Sequence, residues 1–180
     1  MINTEIDRIY TWSNKHQLSD YQPKLQVVKV YEELGELSEG VLQLNRAKIL
    51  DSIGDVFVTL VVLSQQININ IKSKLDFPTA SKYETYRNVT DLMLEELYPT
   101  ICSITQHVSL LQHDDMFDSD NVKGYIRAYV SDVLLILNQM CNILDVDFKT
   151  VLQDVITELE GRTHERVIQV DGSMNINLEG

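Results

Sequence analysis

Apolar residues recur every three or four positions along much of the chain, which is the period of an α-helix with one buried face. The clearest segments predict helices over residues 3–17, 23–44, 49–67 and 147–160. Pro23 suits the first turn of the second helix, and Gly161 suits the end of the last one. A short basic turn is expected at 45–48 and a loop at 68–81. The pattern therefore predicts an all-α helical bundle.

The second helix is expected to turn one apolar stripe towards the core. The stripe consists of Val27, Val30 or Tyr31, Leu34, Leu37, Val41 and Leu44. In the first helix, Asn3 or Thr4 is expected to cap the N-terminus, with Ile6, Ile9 and Tyr10 in the core. Gly35 and Gly40 each weaken the second helix by roughly 1 kcal/mol relative to Ala. We therefore expect another backbone or a ligand close to them.

Acidic residues interrupt this apolar pattern at helical spacing. Glu32 and Glu33 lie four and three residues before Glu36, and Asp51 lies four before Asp55, so each set shares a helical face. Neighbouring carboxylates repel each other, and a hard divalent cation such as Mg²⁺ relieves that repulsion. The alternative is an ordinary solvated helix face. Asp55 argues against it, because an apolar run follows it directly and a buried carboxylate needs a partner.

These acidic segments also carry a family resemblance. Residues 32–36 read Glu-Glu-Leu-Gly-Glu and residues 53–56 read Ile-Gly-Asp-Val. Over about residues 5–71 the chain resembles the MazG-like nucleoside triphosphate pyrophosphohydrolases, an all-α group that includes dimeric dUTPases and phosphoribosyl-ATP pyrophosphatases. Their signature is Glu-Glu-x-x-Glu on one helix and Glu-x-x-Asp on the next. This chain departs from it at Ser52, where the family has Glu, and the neighbouring Asp51 is a candidate replacement.

The resemblance implies a Mg²⁺-dependent enzyme, with Mn²⁺ as an alternative, that cleaves a nucleoside triphosphate to the monophosphate and pyrophosphate. The implied metal ligands are Glu33, Glu36, Asp51 and Asp55. Glu32 or Glu33 would act as the base that accepts a proton from water. The candidate substrate-binding residues are Lys29, Arg46, Lys48 and Trp12.

Several alternatives stay open at this stage. Lys29 could pair with Glu33 as an i,i+4 ion pair, Arg46 and Lys48 could be solvated charges, and Trp12 could be a core anchor. The rival function is a noncatalytic helical module that keeps the fold and binds a nucleotide or a protein. Within the enzyme class, a dUTPase or a phosphoribosyl-ATP pyrophosphatase is the other possibility.

The second half of the chain weakly repeats the first. The Glu-Glu-Leu of 95–97 matches that of 32–34, and Asp132 matches Asp55, whereas Pro99 and Tyr129 stand where Glu36 and Ser52 would be. If the repeat is real, one chain forms a pseudo-dimer with a catalytic half and a structural half. We predict a single domain over 1–180, with a motif-bearing half (1–71), a degenerate half (82–161) and a tail (162–180).

Charge and composition limit the classes of molecule that the chain is expected to bind. A net charge of −12 argues against binding to nucleic acid or an anionic membrane surface, and neither a signal sequence nor a spanning apolar run is evident. We predict a cytoplasmic homo-oligomer, a dimer or tetramer. Cys102 and Cys141 are expected to be buried free thiols, and His107 and His113 to be structural or surface residues. Arg162 and Arg166 of the tail are solvated charges or, alternatively, phosphate contacts.

Overall fold

A computed structural model describes residues 2–72, 85–111 and 119–161, and within these ranges it consists of helices and connecting turns without a strand. The helices are α1 (Asn3–Lys15), α2 (Pro23–Leu42), α3 (Arg46–Gln66), α4 (Val89–Leu92), α5 (Tyr98–Leu110), α6 (Ser119–Ile143) and α7 (Phe148–Gly161), with a 3₁₀ turn at Leu18–Asp20 and a π-helical segment at Met93–Leu97. The predicted all-α fold is confirmed. The tail 162–180, His113 and most of the predicted loop 68–81 lie outside the described residues.

The turn between α2 and α3 differs from the prediction. Helix α3 begins at Arg46, because the side chain of Asn45 accepts a hydrogen bond from the Lys48 backbone N–H at 3.2 Å and caps it. The expected turn over 45–48 was therefore wrong. Leu44 lies beyond the end of α2, has φ of 53° and is 88% exposed, so its predicted place in the core was also wrong. Of the two alternatives on α2, Val30 is buried and Tyr31 is exposed.

Helix α1 has no side-chain cap at its N-terminus, and an ion pair holds it to α7. Its N-cap position is Ile2, and no side chain caps it, so the expected role of Asn3 or Thr4 was wrong. Arg8 instead donates two hydrogen bonds to Glu160, at 3.0 and 2.7 Å. The pairing raises the pKa of Arg8 and lowers that of Glu160. This contact joins the two ends of the chain that the structure describes.

The π-helical segment before α5 is explained by a proline in the sequence. Pro99 stands in the first turn of α5 and has no backbone N–H to donate. Its ring would also crowd the carbonyl four residues earlier in a regular α-helix, and the wider π turn of Met93–Leu97 relieves that contact. The helical backbone therefore continues without a break from α4 through α5.

Helix α3 occupies the centre of the core and packs against α1, α2, α6 and α7. The Phe57 ring meets the Phe148 ring edge to face, with centroids 6.0 Å apart. Next to this pair, a Cβ on Gly54 would lie 2.3 Å from the Val155 side chain, so only glycine allows α7 to approach this closely. The absence of a side chain at 54 sets the distance between the two helices.

The two cysteines have different environments. Cys141 is buried, as predicted, and burial raises the pKa of its thiol to about 12. Cys102 is exposed, which contradicts the prediction, because it lies on the side of α5 that faces away from the core. No single described helix has the length and apolar composition to cross a bilayer, and α6 with α7 meets that test only as a pair bent by 105°.

Candidate functional site

The α2–α3 hairpin carries the candidate acids, and one close approach fixes its register. A Cβ on Gly40 would lie 3.1 Å from the Ile49 backbone N, so the prediction of a close backbone at Gly40 is confirmed. At the other end of α2, the Gln26 amide donates to the Thr59 carbonyl at 3.0 Å. The two helices therefore run antiparallel in close contact along the length of α2.

This register brings the two acidic segments to the same level. Glu33 lies seven residues before Gly40 on the same face of α2, and Val56 lies seven residues after Ile49 on α3. From this contact Glu33 is level with Val56, and from the Gln26–Thr59 contact it is level with Ser52, so it lies against the segment 52–56 that contains Asp55. Counted from Gly40 and Ile49, Glu36 is level with Ile53, the neighbour of Ser52. The spacing in the sequence alone could not establish this alignment, because it depends on the turn between the helices.

Glu33 is the buried member of the acidic group. It is 5% exposed, and its Oε1 accepts from the Lys29 ammonium at 2.7 Å, while the same ammonium also reaches Glu32 at 2.8 Å. Burial raises the pKa of Glu33 above its usual range, an effect that Lys29 opposes and that the nearby Glu36 and Glu32 reinforce. Burial acts to lower the pKa of Lys29, but its bonds to the two carboxylates more than offset this, so the pKa is raised. The predicted Lys29–Glu33 ion pair is thus present.

The other candidate ligands differ in exposure. Asp55 is half-buried, whereas Asp51 and Glu36 are exposed. Ser52 is 1% exposed, and its hydroxyl has no hydrogen-bond partner. Ser52 follows Ile49 by one turn and so lies on the face of α3 that meets α2. Ser52, where the MazG-like signature has Glu, thus faces the contact between α2 and α3, which we call the seam. Asp51 lies on the solvent side of the seam. Within the described ranges, no group of three or more His, Cys, Asp or Glu side chains is arranged to hold a metal ion.

The candidate substrate-binding residues each have a partner within the chain. Arg46 donates to the Leu144 carbonyl at 2.6 Å and ties the hairpin turn to the end of α6. Lys48 pairs with Glu39 at 2.6 Å, which lowers the pKa of that carboxyl. Trp12 is half-buried against the core, with its ring 5.1 Å from that of His16. Each of these three residues thus has a contact within the chain, and Lys29 contacts the acidic group through Glu32 and Glu33.

Sequence reasoning missed the polar contacts that hold α2 in place. The Ser38 hydroxyl lies 2.6 Å from the Tyr98 hydroxyl, and Tyr31 makes a similar contact with Thr105 at 3.1 Å, so α2 is fastened to α5. Gln26 fastens it to α3. A signal for Gln26 exists in the sequence, because it lies seven residues before Glu33 and so shares its helical face. The contacts with α5 join residues at least 60 positions apart and have no local signal.

Comparison with known proteins adds little about function. The chain is 41% identical over 66 residues to an uncharacterized 18.2 kDa protein in the rep-hol intergenic region of Haemophilus phage HP1 (strain HP1c1). That alignment covers 36% of this chain and 40% of the phage protein, so the chain matches less than half the length of that relative. No family model matches the chain. No solved structure matches it either.

Proposed function

We propose that the chain is a Mg²⁺-dependent nucleoside triphosphate pyrophosphohydrolase, in which water attacks the substrate to release pyrophosphate and leave a nucleoside monophosphate. The observation that carries the proposal is the register of the α2–α3 hairpin, which puts Glu33 and Glu36 at the level of the α3 segment that contains Ser52 and Asp55. The resemblance of residues 32–36 and 53–56 to the MazG-like signature supports the same assignment.

The donor atoms at this level suit a hard divalent cation. Carboxylate oxygens are the ligands that Mg²⁺ prefers, and the buried Ser52 hydroxyl on the same seam has no partner within the chain. Glu33, Glu36 and Asp55 would hold the ion, with Asp51 as the further candidate. A bound Mg²⁺ would neutralise substrate phosphate charge and lower the pKa of water.

The remaining chemistry belongs to the side chains of α2. Because burial raises the pKa of Glu33, its carboxylate is a stronger base than an exposed Glu, and it accepts the proton of the attacking water. Lys29 holds that carboxylate in place through its 2.7 Å contact. Glu32 shares the same ammonium from the solvent side and is the second candidate base. If Glu33 is chiefly the base, Glu33→Gln lowers kcat while cation affinity stays near that of the wild type.

Pyrophosphate release from a panel of canonical and modified nucleoside triphosphates, with Mg²⁺ or Mn²⁺, tests the proposal. Glu36→Gln should lower kcat/KM by at least about 100-fold if Glu36 is a metal ligand. Glu39→Gln is the matched control, because Glu39 lies on the same helix, is exposed and pairs with Lys48 instead. Absence of turnover on every substrate, or equal activity of the two variants, would contradict the proposal.

The role of Asp51 has its own test. If Asp51 replaces the family's Glu at position 52, Asp51→Asn should weaken activity, and unchanged activity would remove Asp51 from the site. The structure gives Ser52 the position that faces α2, so Ser52→Glu is the complementary variant. A gain in activity from Ser52→Glu would show that the natural chain works with an incomplete ligand set.

The second candidate is a noncatalytic module that binds a nucleotide or a protein. The observation in its favour is that no three metal-binding side chains converge among the residues that the structure describes. Calorimetric titration with a nonhydrolysable nucleoside triphosphate separates the candidates. Binding to a chain that forms no product on any substrate of the panel favours the module. Turnover favours the enzyme, and the preferred substrate of the panel distinguishes a general pyrophosphohydrolase from a dUTPase or a phosphoribosyl-ATP pyrophosphatase.

A further inference from the structure

Lys29 holds two carboxylates of the candidate site at once. Its ammonium lies 2.7 Å from Oε1 of Glu33 and 2.8 Å from Oε2 of Glu32. Neighbouring residues leave an α-helix about 100° apart, so these two side chains diverge unless a shared partner draws them together. A lysine three residues before one acid and four before the other is that partner. The chain therefore carries its own positive charge between Glu32 and Glu33.

Side-chain exposure shows which member of this group is free to move. The Glu33 side chain is 7% exposed, whereas those of Lys29 and Glu32 are 46% and 57% exposed. Burial at the seam fixes Glu33. The Lys29 ammonium stands at the end of a flexible aliphatic stem, so it can turn towards water while both helices stay in place. Release of Glu33 by Lys29 breaks an ion pair and leaves the packing of the core intact.

The same contact sets a condition for binding a metal ion at Glu33. Because Oε1 of Glu33 accepts from the ammonium, a second cation on that oxygen would lie only a few ångströms from a positive charge and be repelled by it. Among the described residues, no three acidic, histidine or cysteine side chains converge to hold a metal ion. That arrangement is expected while Lys29 draws Glu32 and Glu33 towards itself. Lys29 and a divalent cation therefore compete for Glu33.

We propose that Lys29 is an internal counter-ion that gives up Glu33 when a divalent cation binds, and so controls the loading of the site. This inference rests on the cation site assigned above to Glu33, Glu36 and Asp55. The exchange is favourable because a divalent ion carries twice the charge of an ammonium and gathers several carboxylate ligands at once. Glu32, on the solvent side, can keep the ammonium afterwards. The Lys29–Glu33 ion pair is then the resting arrangement of the site.

Mn²⁺ titration followed by electron paramagnetic resonance measures this competition. Lys29→Met should lower the Mn²⁺ dissociation constant by at least about tenfold, because a site that is blocked in most molecules binds with an affinity reduced by the open fraction. Lys72→Met is the matched control. Lys72 follows the C-terminal end of α3 and pairs with Asp7, so this variant loses the same charge and an ion pair away from the seam. Its dissociation constant should stay near the wild-type value.

The direction of the change separates a competing lysine from one that only supports the site. A supporting Lys29 would make Lys29→Met bind Mn²⁺ more weakly, and an affinity equal to or below that of the wild type overturns the inference. Lys29→Arg keeps the charge and should restore wild-type affinity. Lys29→Gln keeps a hydrogen-bond donor without the charge. It should show the same gain as Lys29→Met, and it decides the question if Lys29→Met does not fold.

Thermal unfolding gives a second readout that does not involve turnover. Without a divalent cation, Lys29→Met should unfold at a lower temperature than the wild type, because Glu33 is left buried without its ion pair. Saturating Mg²⁺ should raise the unfolding temperature of Lys29→Met by more than that of the wild type, since the ion replaces the lost ammonium. An equal or smaller rise in the variant would overturn the exchange.

The outcomes also separate this inference from the proposed function. If the wild type binds Mn²⁺ and hydrolyses a nucleotide while Lys29→Met gains no affinity, the exchange alone is wrong. If Lys29→Met gains affinity but no nucleotide of the panel is hydrolysed, the exchange stands and the enzymatic proposal fails. If neither chain binds Mn²⁺, the cation site is wrong and both proposals fail with it.

Discussion

The two helix pairs of the chain, α2 with α3 and α5 with α6, differ in the side chains that lie between the helices. In the first, the seam carries Glu33, which a lysine holds. In the second, the corresponding seam carries aromatic rings, with His107 5.4 Å from Tyr125 and 5.2 Å from Tyr129. The first seam carries an ion pair and the second carries these ring contacts, and the proposed chemistry belongs to the first.

The carboxylates of the second half are also held differently. Glu95 and Glu96 both accept from the Tyr86 hydroxyl at 3.0 Å. Burial and these two carboxylates raise the pKa of Tyr86, so it stays a neutral donor. The Tyr86 hydroxyl thus binds both carboxylates without adding a positive charge that could attract a substrate phosphate. The predicted internal duplication, with a pseudo-dimer as its result, stays a prediction.

The largest difference is expected between Asn substitutions at Asp55 and at Asp132, which occupy matching positions in the two hairpins. Asp55→Asn should lower kcat/KM for pyrophosphate release by about 100-fold or more, because it removes a charged oxygen from the seam that we assign to the cation. Asp132→Asn, at the matching position of the second hairpin, should leave kcat/KM near the wild-type value. Equal losses in both variants would remove the functional distinction between the two hairpins.

The next effect concerns the stability of the first hairpin. Gly54→Ala should destabilise the fold by about 1–3 kcal/mol, because the added methyl group would overlap the Val155 side chain. Gly124→Ala should instead stabilise it by roughly 0.5–1 kcal/mol, because the position is open and alanine favours a helix. Urea denaturation measures both. A neutral Gly54→Ala would show that α7 can move away from α3 without cost.

A third prediction uses the raised pKa of Glu33. In the folded state Glu33 binds its proton more tightly than in the unfolded state, so its contribution to stability is fully present below the ordinary Glu pKa and is lost as the pH rises through the raised value. Glu33→Gln removes this dependence. The stability of the variant relative to the wild type should therefore increase from about pH 4 to about pH 7 in urea denaturation. A constant or falling difference would contradict the raised pKa.

The smallest effect is expected at Ser52. Its buried hydroxyl has no hydrogen-bond partner, so Ser52→Ala removes an unsatisfied group and should change the free energy of unfolding by less than about 1 kcal/mol, in the stabilising direction. Ser64→Ala is the control, because the Ser64 hydroxyl donates to the Leu60 carbonyl at 2.8 Å and its loss should destabilise. A clear loss of stability in Ser52→Ala would mean that the hydroxyl has a partner in solution.

The sequence predicted the helices well because their apolar period is local. It failed where a local cap or the packing of neighbouring helices decides the outcome. The exposure of Leu44 follows from the early end of α2 and the cap at Asn45, a competition between adjacent residues that periodicity does not measure. The burial of Glu33 follows from the α2–α3 register, which the sequence does not report. For the same reason, the sequence alone could not decide whether Lys29 binds a substrate or pairs with Glu33. The open space at Gly35 also required coordinates, since the same residue type at Gly40 has a close neighbour.

The most direct test of the account is a Mn²⁺ titration followed by electron paramagnetic resonance, with wild type, Asp55→Asn and Asp132→Asn measured side by side. The account predicts that the wild type and Asp132→Asn bind Mn²⁺ with the same affinity and that Asp55→Asn binds it at least about tenfold more weakly. Equal binding by all three chains, or a loss in Asp132→Asn alone, would contradict the assignment of the cation to the α2–α3 seam.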